Sequence, residues 1–135
     1  MTGIAERPTI SLTKQALTPR QRTALRSHLA GDREKTRLLI EQISEQMSAF
    51  MAARRDTATD DEHDPEGPTL AFERSQSSAM LAQSEQHLAD IDAALLRLEL
   101  GTYGLCMKCG GAIAVGRLQV RPQASLCIHC AENLR

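Results

Sequence analysis

From Thr18 onward, apolar residues recur at three- and four-residue steps: Leu25, Leu29, Ile40, Ile43, Met47 and Phe50 or Met51, with Gln, Glu and Arg between them. That period predicts an amphipathic α-helix. Its start is marked by Thr18-Pro19-Arg20-Gln21, which offers a capping hydroxyl, Pro at the first helical position and Gln where a capping box requires it. Gly31 and Thr36 interrupt the stripe. A glycine inside a helix costs about 1 kcal/mol relative to Ala, so Gly31 is expected to mark a bend or a close helix contact. Farther along, Leu81, Leu88 and Leu95 share one heptad position while Ser84, Ile91 and Leu98 share the other, as in a second helix with a narrow apolar seam. Traced backward, the same frame meets Ser77, Arg74 and Leu70, a more polar end. Gly101, directly after Leu100, is the expected stop.

The stretch from Asp56 to Pro68 separates the two helices. Pro65 and Pro68 lie three residues apart and forbid an uninterrupted helix, and Asp64-Pro65-Glu66-Gly67 suits a type I turn. The second helix is therefore predicted to begin at Pro68 or Thr69. A proline-rich turn between two seamed helices favours an intramolecular hairpin over a parallel dimer, and a monomer is expected. The fold class is mainly α: a long antiparallel helical hairpin, or coiled coil, with a small four-cysteine module. The expected divisions are an N-terminal arm at 1–17, the hairpin at 18–100 with its turn at 57–68, and the cysteine module at 101–135. Helices of about 38 and 32 residues, rising about 1.5 Å per residue, would carry the turn roughly 50 Å from that module.

Composition agrees with a narrow seam. Tyr103, Phe50 and Phe72 are the only aromatic residues and Trp is absent, so the large side chains that dominate globular cores are missing. No run approaches the roughly 18 apolar residues of a membrane span, and the N-terminus lacks the apolar stretch of a secretory signal. The chain is expected in the cytoplasm, away from membranes. Thiols stay reduced there, and four Cys in two close pairs then point to a metal site rather than to disulfides.

Cys106-Met107-Lys108-Cys109 and Cys127-Ile128-His129-Cys130 are separated by 17 residues, within the range of four-cysteine zinc sites. Each two-residue gap lets one turn of backbone present two sulfurs to an ion at about 2.3 Å, and two such turns complete a tetrahedron. Gly104, Gly110 and Gly111 suit the tight backbone of the first pair. Four thiolates close the coordination shell, so one structural Zn²⁺ is expected, with no catalytic position and no enzymatic activity. His129 lies between two better-spaced sulfurs and is expected to be exposed, as are His28 and His87. Without metal the tail holds few apolar residues, so binding energy should be folding energy.

The net charge of −1 hides an uneven distribution. Residues 1–58 carry ten basic against six acidic groups, 59–100 two against ten, and 101–135 four against one. A tetrathiolate zinc site brings the cysteine module close to neutrality, which is too little positive charge for a phosphate-binding face. No sequence-specific DNA binding is expected. The acidic excess peaks in the turn, where Asp60, Asp61, Glu62, Asp64 and Glu66 surround His63. One reading is a solvated loop. The other gives these carboxylates work at the end of two long stems, against a metal ion, a basic side chain or a phosphate-binding loop.

Gly101-Thr102-Tyr103-Gly104-Leu105-Cys106-Met107-Lys108-Cys109-Gly110, followed by Ile113, Arg117-Leu118, Arg121-Pro122-Gln123-Ala124 and Leu126-Cys127-Ile128-His129-Cys130, resembles the zinc finger of the DksA/TraR family. With the preceding hairpin, the resemblance covers residues 18–135. It implies a regulator that binds RNA polymerase directly, its coiled coil entering the secondary channel and its acidic tip approaching the catalytic centre, so that open promoter complexes change in stability or kinetics. The prototype tip reads Asp-x-x-Asp-x-Ala. Here Asp61-Glu62-His63-Asp64-Pro65-Glu66 keeps both Asp and puts Glu at the Ala position, whereas counting back from the first zinc Cys selects His63, Glu66 and Pro68. The basic residues with which the prototype holds ppGpp correspond to Gln83, Asp90 and Ala131, none of them basic, so cooperation with ppGpp is not expected. Lys108, Arg117 and Arg121 are candidates for polymerase contacts or, equally, for stabilising the thiolate site. Two alternatives from other classes stand beside this reading: a DNA-binding zinc module, and a thiol redox or metal-responsive switch.

Overall fold

A computed structural model describes residues 17–57 and 67–134 of the chain. The acidic turn residues Asp60, Asp61, Glu62, Asp64 and Glu66, and the arm up to residue 16, lie outside the described residues. The elements are α1 (Pro19–Thr57), α2 (Gly67–Leu100), α3 (Val115–Val120) and α4 (Ile128–Glu132). Among the described residues the β-structure is confined to an isolated antiparallel bridge between Leu105 and Ala112. No described helix is long and apolar enough to cross a membrane.

Helix α1 begins where its capping residues say it should. The Gln21 amide donates to Thr18 Oγ1 at 3.1 Å, and the Thr18 amide donates to Gln21 Oε1 at 3.0 Å. Two otherwise orphaned N–H groups are thereby satisfied reciprocally. Helix α2 starts at Gly67, one residue earlier than Pro68, and ends at Leu100 as expected. At its end Gly101 takes φ +79°, and the Thr102 and Tyr103 amides donate to the Arg97 carbonyl at 3.0 and 3.2 Å. This left-handed glycine cap turns the chain into the cysteine module.

The described residues form two compact units, 17–32 with 90–134, and 33–57 with 67–89. In the first, Leu25 and Leu29 of α1 pack with Ile91, Ala94 and Leu98 of α2, and the same core takes in Tyr103, Cys106, Ile113, Leu118 and Ala124. The beginning of α1 thus meets the end of α2, the antiparallel arrangement. Leu29, Ile91, Ile113 and Leu118 are fully buried, each stabilising the unit by about 1.5–3 kcal/mol relative to exposure. The roots of both helices and the cysteine module share one core.

In the second unit Thr36 and Ile43 are buried and Ile40, Met47 and Phe50 half-buried. Met47, Phe50 and Met51 line a cavity of about 170 Å³ together with Glu73, Arg74 and Ser77 of α2, again an antiparallel pairing. Two expectations change here. Thr36 is only 5% exposed and continues the seam instead of interrupting it, because Leu29, Thr36, Ile43 and Phe50 share one heptad position. Gly31 is exposed and a Cβ there would meet nothing within 4 Å, so it marks no close contact.

Candidate metal centre

The first cysteine pair sits in a loop closed on itself by backbone bonds. The Ile113 amide donates to the Gly104 carbonyl at 2.8 Å and the Cys106 amide to the Gly111 carbonyl at 2.7 Å. These fold residues 104–113 back around Cys106 and Cys109. Within the loop the Gly110 amide donates to the Cys106 carbonyl at 2.9 Å, with Gly110 at φ +73°, a conformation that favours glycine. The Gly111 amide also points at Cys109 Sγ, 3.4 Å away.

The second pair is built differently. Cys127 is the N-cap of α4 and Cys130 lies within its first turn, so residues three apart present both sulfurs on one helical face. Two contacts hold the halves together: the Met107 amide donates to the Ser125 carbonyl at 2.8 Å, and Arg117 Nε donates to the Leu126 carbonyl at 3.0 Å. Arg117 is half-buried, while Lys108 and Arg121 are exposed.

All four sulfurs lie within 4.8 Å of one another, and Cys109 Sγ is 3.8 Å from Cys127 Sγ. A tetrahedron with metal–sulfur bonds of about 2.3 Å has edges of about 3.8 Å, so the spacing suits one ion and is too long for a disulfide. The electrostatics fit as well. Burial works to raise the Cys106 thiol, yet hydrogen bonding from the Cys109, Cys127 and Lys108 backbone outweighs it and brings the pKa down to about 6. Cys130, hydrogen-bonded to the Cys127 sulfur and partly desolvated, is pushed up to about 12. Four crowded thiols resist full ionisation unless a cation replaces their protons. An all-sulfur, four-donor cage suits Zn²⁺ by softness and geometry, and Cys106, Cys109, Cys127 and Cys130 would hold one structural zinc.

His129 is exposed and stands outside the sulfur cluster. His28 is exposed too, whereas His87 is half-buried rather than fully at the surface. Exposed Val120 and Ile128, with Arg117, Arg121 and His129, border an open cavity of about 480 Å³, an apolar surface with a basic rim that periodicity alone did not announce. Buried Arg97 also escaped the sequence reading, since an arginine near a helix end reads as a solvated cation.

Comparison with known proteins adds to this geometry. Residues 101–133 match the family described as the prokaryotic dksA/traR C4-type zinc finger. The chain is 32% identical over 93 residues to the RNA polymerase-binding transcription factor DksA of Haemophilus influenzae, an alignment covering 67% of this chain and 62% of that protein. It is 40% identical over 46 residues to the protein of the same name from Caulobacter vibrioides, covering 34% of this chain and 32% of the relative. The chain thus spans less than two thirds of the length of these relatives. Among solved structures, the transcription factor DksA2 of Pseudomonas aeruginosa superposes with a TM-score of 0.67 at 28% identity, over 86% of this chain and 84% of that one.

Proposed function

Because this chain belongs to the DksA/TraR family of C4-type zinc-finger proteins, we propose that it is an RNA polymerase-binding transcription regulator and not an enzyme. The observation that carries the reading is the shared core of the first unit. There the four-sulfur centre and the roots of an antiparallel helix pair fold as one body, and relatives named for binding the polymerase align with this chain. Zinc would hold the module without entering any chemistry.

In this proposal the helical hairpin enters the polymerase's secondary channel, and Asp60, Asp61, Glu62, Asp64 and Glu66 act near its catalytic centre to modulate initiation. The head would contribute contacts from Lys108 and Arg121, both exposed. Arg117 is committed in part to the Leu126 carbonyl, which favours a structural share in its role. Gln83, Asp90 and Ala131 offer a nucleotide tetraphosphate no positive charge, so the regulator is proposed to act without ppGpp, in the cytoplasm and as a monomer.

The test is purified transcription on several promoters with the cognate polymerase, alongside capture of the polymerase by the tagged protein. Asp61→Asn combined with Asp64→Asn should keep capture and lose the transcriptional effect. Full activity in that variant would dismiss the tip mechanism. Failure of the wild-type chain to capture polymerase would dismiss the function.

A further inference from the structure

Arg97 lies in the last turn of α2, yet only 9% of its surface is exposed. Its guanidinium donates from Nη1 to Met107 Sδ at 3.9 Å, a weak acceptor. The buried Nη2 has no hydrogen-bond partner. A cation withdrawn from water needs a compensating negative group close by, because its hydration is lost and a neutral sulfur returns little of it. Burial accordingly pulls the Arg97 pKa down, with Tyr103 and Asp90 acting weakly in the other direction.

Two sources of negative charge are candidates, Asp90 being the carboxylate of this unit that acts on the guanidinium. One is Asp90, an exposed carboxylate seven residues back along α2, whose field water and salt screen. The other is the sulfur cluster, which begins at buried Cys106, the chain neighbour of Met107. Four thiolates around a divalent cation leave two net negative charges. Among the described basic side chains of the module, Lys108 and Arg121 are exposed, where water screens them, and Arg117 Nε is engaged with the Leu126 carbonyl.

We propose that Arg97 is the countercharge of the metal-loaded four-thiolate site, a positioning residue on α2 that raises the affinity of the module for zinc. The orphaned N–H and the excess thiolate charge are then two halves of one arrangement. It also links metal occupancy to the C-terminal turn of α2, whose Arg97 carbonyl caps the chain entering the module. In the loaded protein the guanidinium is stabilised by the site, and the site by the guanidinium.

The experiment uses the full-length, zinc-loaded chain under reducing conditions and measures zinc retention against a chromogenic chelator of known affinity. Outer residues that support metal ligands commonly change affinity by about 10–100-fold when replaced, and Arg97→Met and Arg97→Gln are expected to weaken zinc binding at least about tenfold on that scale. Arg97→Lys, which restores the charge, should recover most of the loss, and Asp90→Asn should leave affinity unchanged. Far-UV circular dichroism of each loaded variant reports folding; if Arg97→Met lacks the wild-type helical signal, Arg97→Gln against Arg97→Lys carries the comparison. Wild-type affinity in the neutral variants overturns the proposal. So does a Lys variant as weak as the neutral ones, or an Asp90→Asn loss equal to theirs, which would assign the pairing to Asp90.

Discussion

The hydroxyl of Tyr103 donates a 2.8 Å hydrogen bond to the carbonyl of Pro122, nineteen residues away in sequence. Both residues are buried, so this bond ties the turn that follows α2 to the loop that leads into the second cysteine pair. Tyr103→Phe keeps the ring in the core and strands the Pro122 carbonyl. The unfolding free energy of the zinc-loaded protein should fall by about 1–3 kcal/mol, the penalty for an unsatisfied buried acceptor. Denaturant titration checks this, and an unchanged midpoint would mean that water reaches the carbonyl.

The same hydroxyl predicts a pH dependence. Burial raises the Tyr103 pKa from 10.0 to about 12, with Arg97 pulling it slightly back. Because the folded state holds this proton more tightly than the unfolded chain, its contribution is complete below pH 10.0 and is lost as pH rises through about 12. The unfolding temperature of the wild type should therefore fall more steeply over that window than that of Tyr103→Phe. Parallel curves would contradict the assignment.

Gly31 and Gly101 should respond to alanine with opposite signs. Gly31 lies inside α1 with open space around its Cβ position and no positive φ, so Gly31→Ala should stabilise by about 1 kcal/mol through helix propensity and a less disordered unfolded chain. Gly101 holds φ +79°, where a Cβ costs about 1–2 kcal/mol. Urea midpoints of the two single variants make the comparison, and two shifts in the same direction would show that conformation at these sites is not what matters.

Metal removal should unfold the module and not merely loosen it. Structural zinc in small peptides contributes about 10–16 kcal/mol of apparent binding energy, whereas this module's own apolar core is chiefly Tyr103, Ile113, Leu118 and Ala124. After chelation, the Cys106, Gly110 and Ile113 amides, all hydrogen-bonded in the folded loop, should exchange rapidly with solvent. Continued protection at Ile113 would show that the loop stands without its ion. Cys106→Ser should be more damaging than Cys109→Ser, since Cys106 is buried and Cys109 exposed.

Much of this architecture was legible one segment at a time. Thr18 and Gln21 announce a capping box that forms in full, Gly101 announces the stop of α2, and the spacing of Cys106, Cys109, Cys127 and Cys130 announces four sulfurs within reach of one ion. These signals are short-ranged: backbone sterics, orphaned terminal amides and the reach of a two-residue gap act within a turn or two. The heptad of α2 belongs with them, since Ile91 and Leu98 are buried while Leu81, Leu88 and Leu95 are partly so.

By itself, then, the sequence determined the start of α1, the stop of α2, the heptad face of α2 and which four residues form the cage. The tertiary structure decided which of those cysteines is buried, that Thr36 joins the seam, that the Tyr103 hydroxyl meets the Pro122 carbonyl, and that Arg97 is withdrawn from water. The reason is physical. Local conformation follows from neighbours along the chain, but burial and charge compensation depend on groups brought close only by folding. A polar residue carries no mark of the partner it will meet.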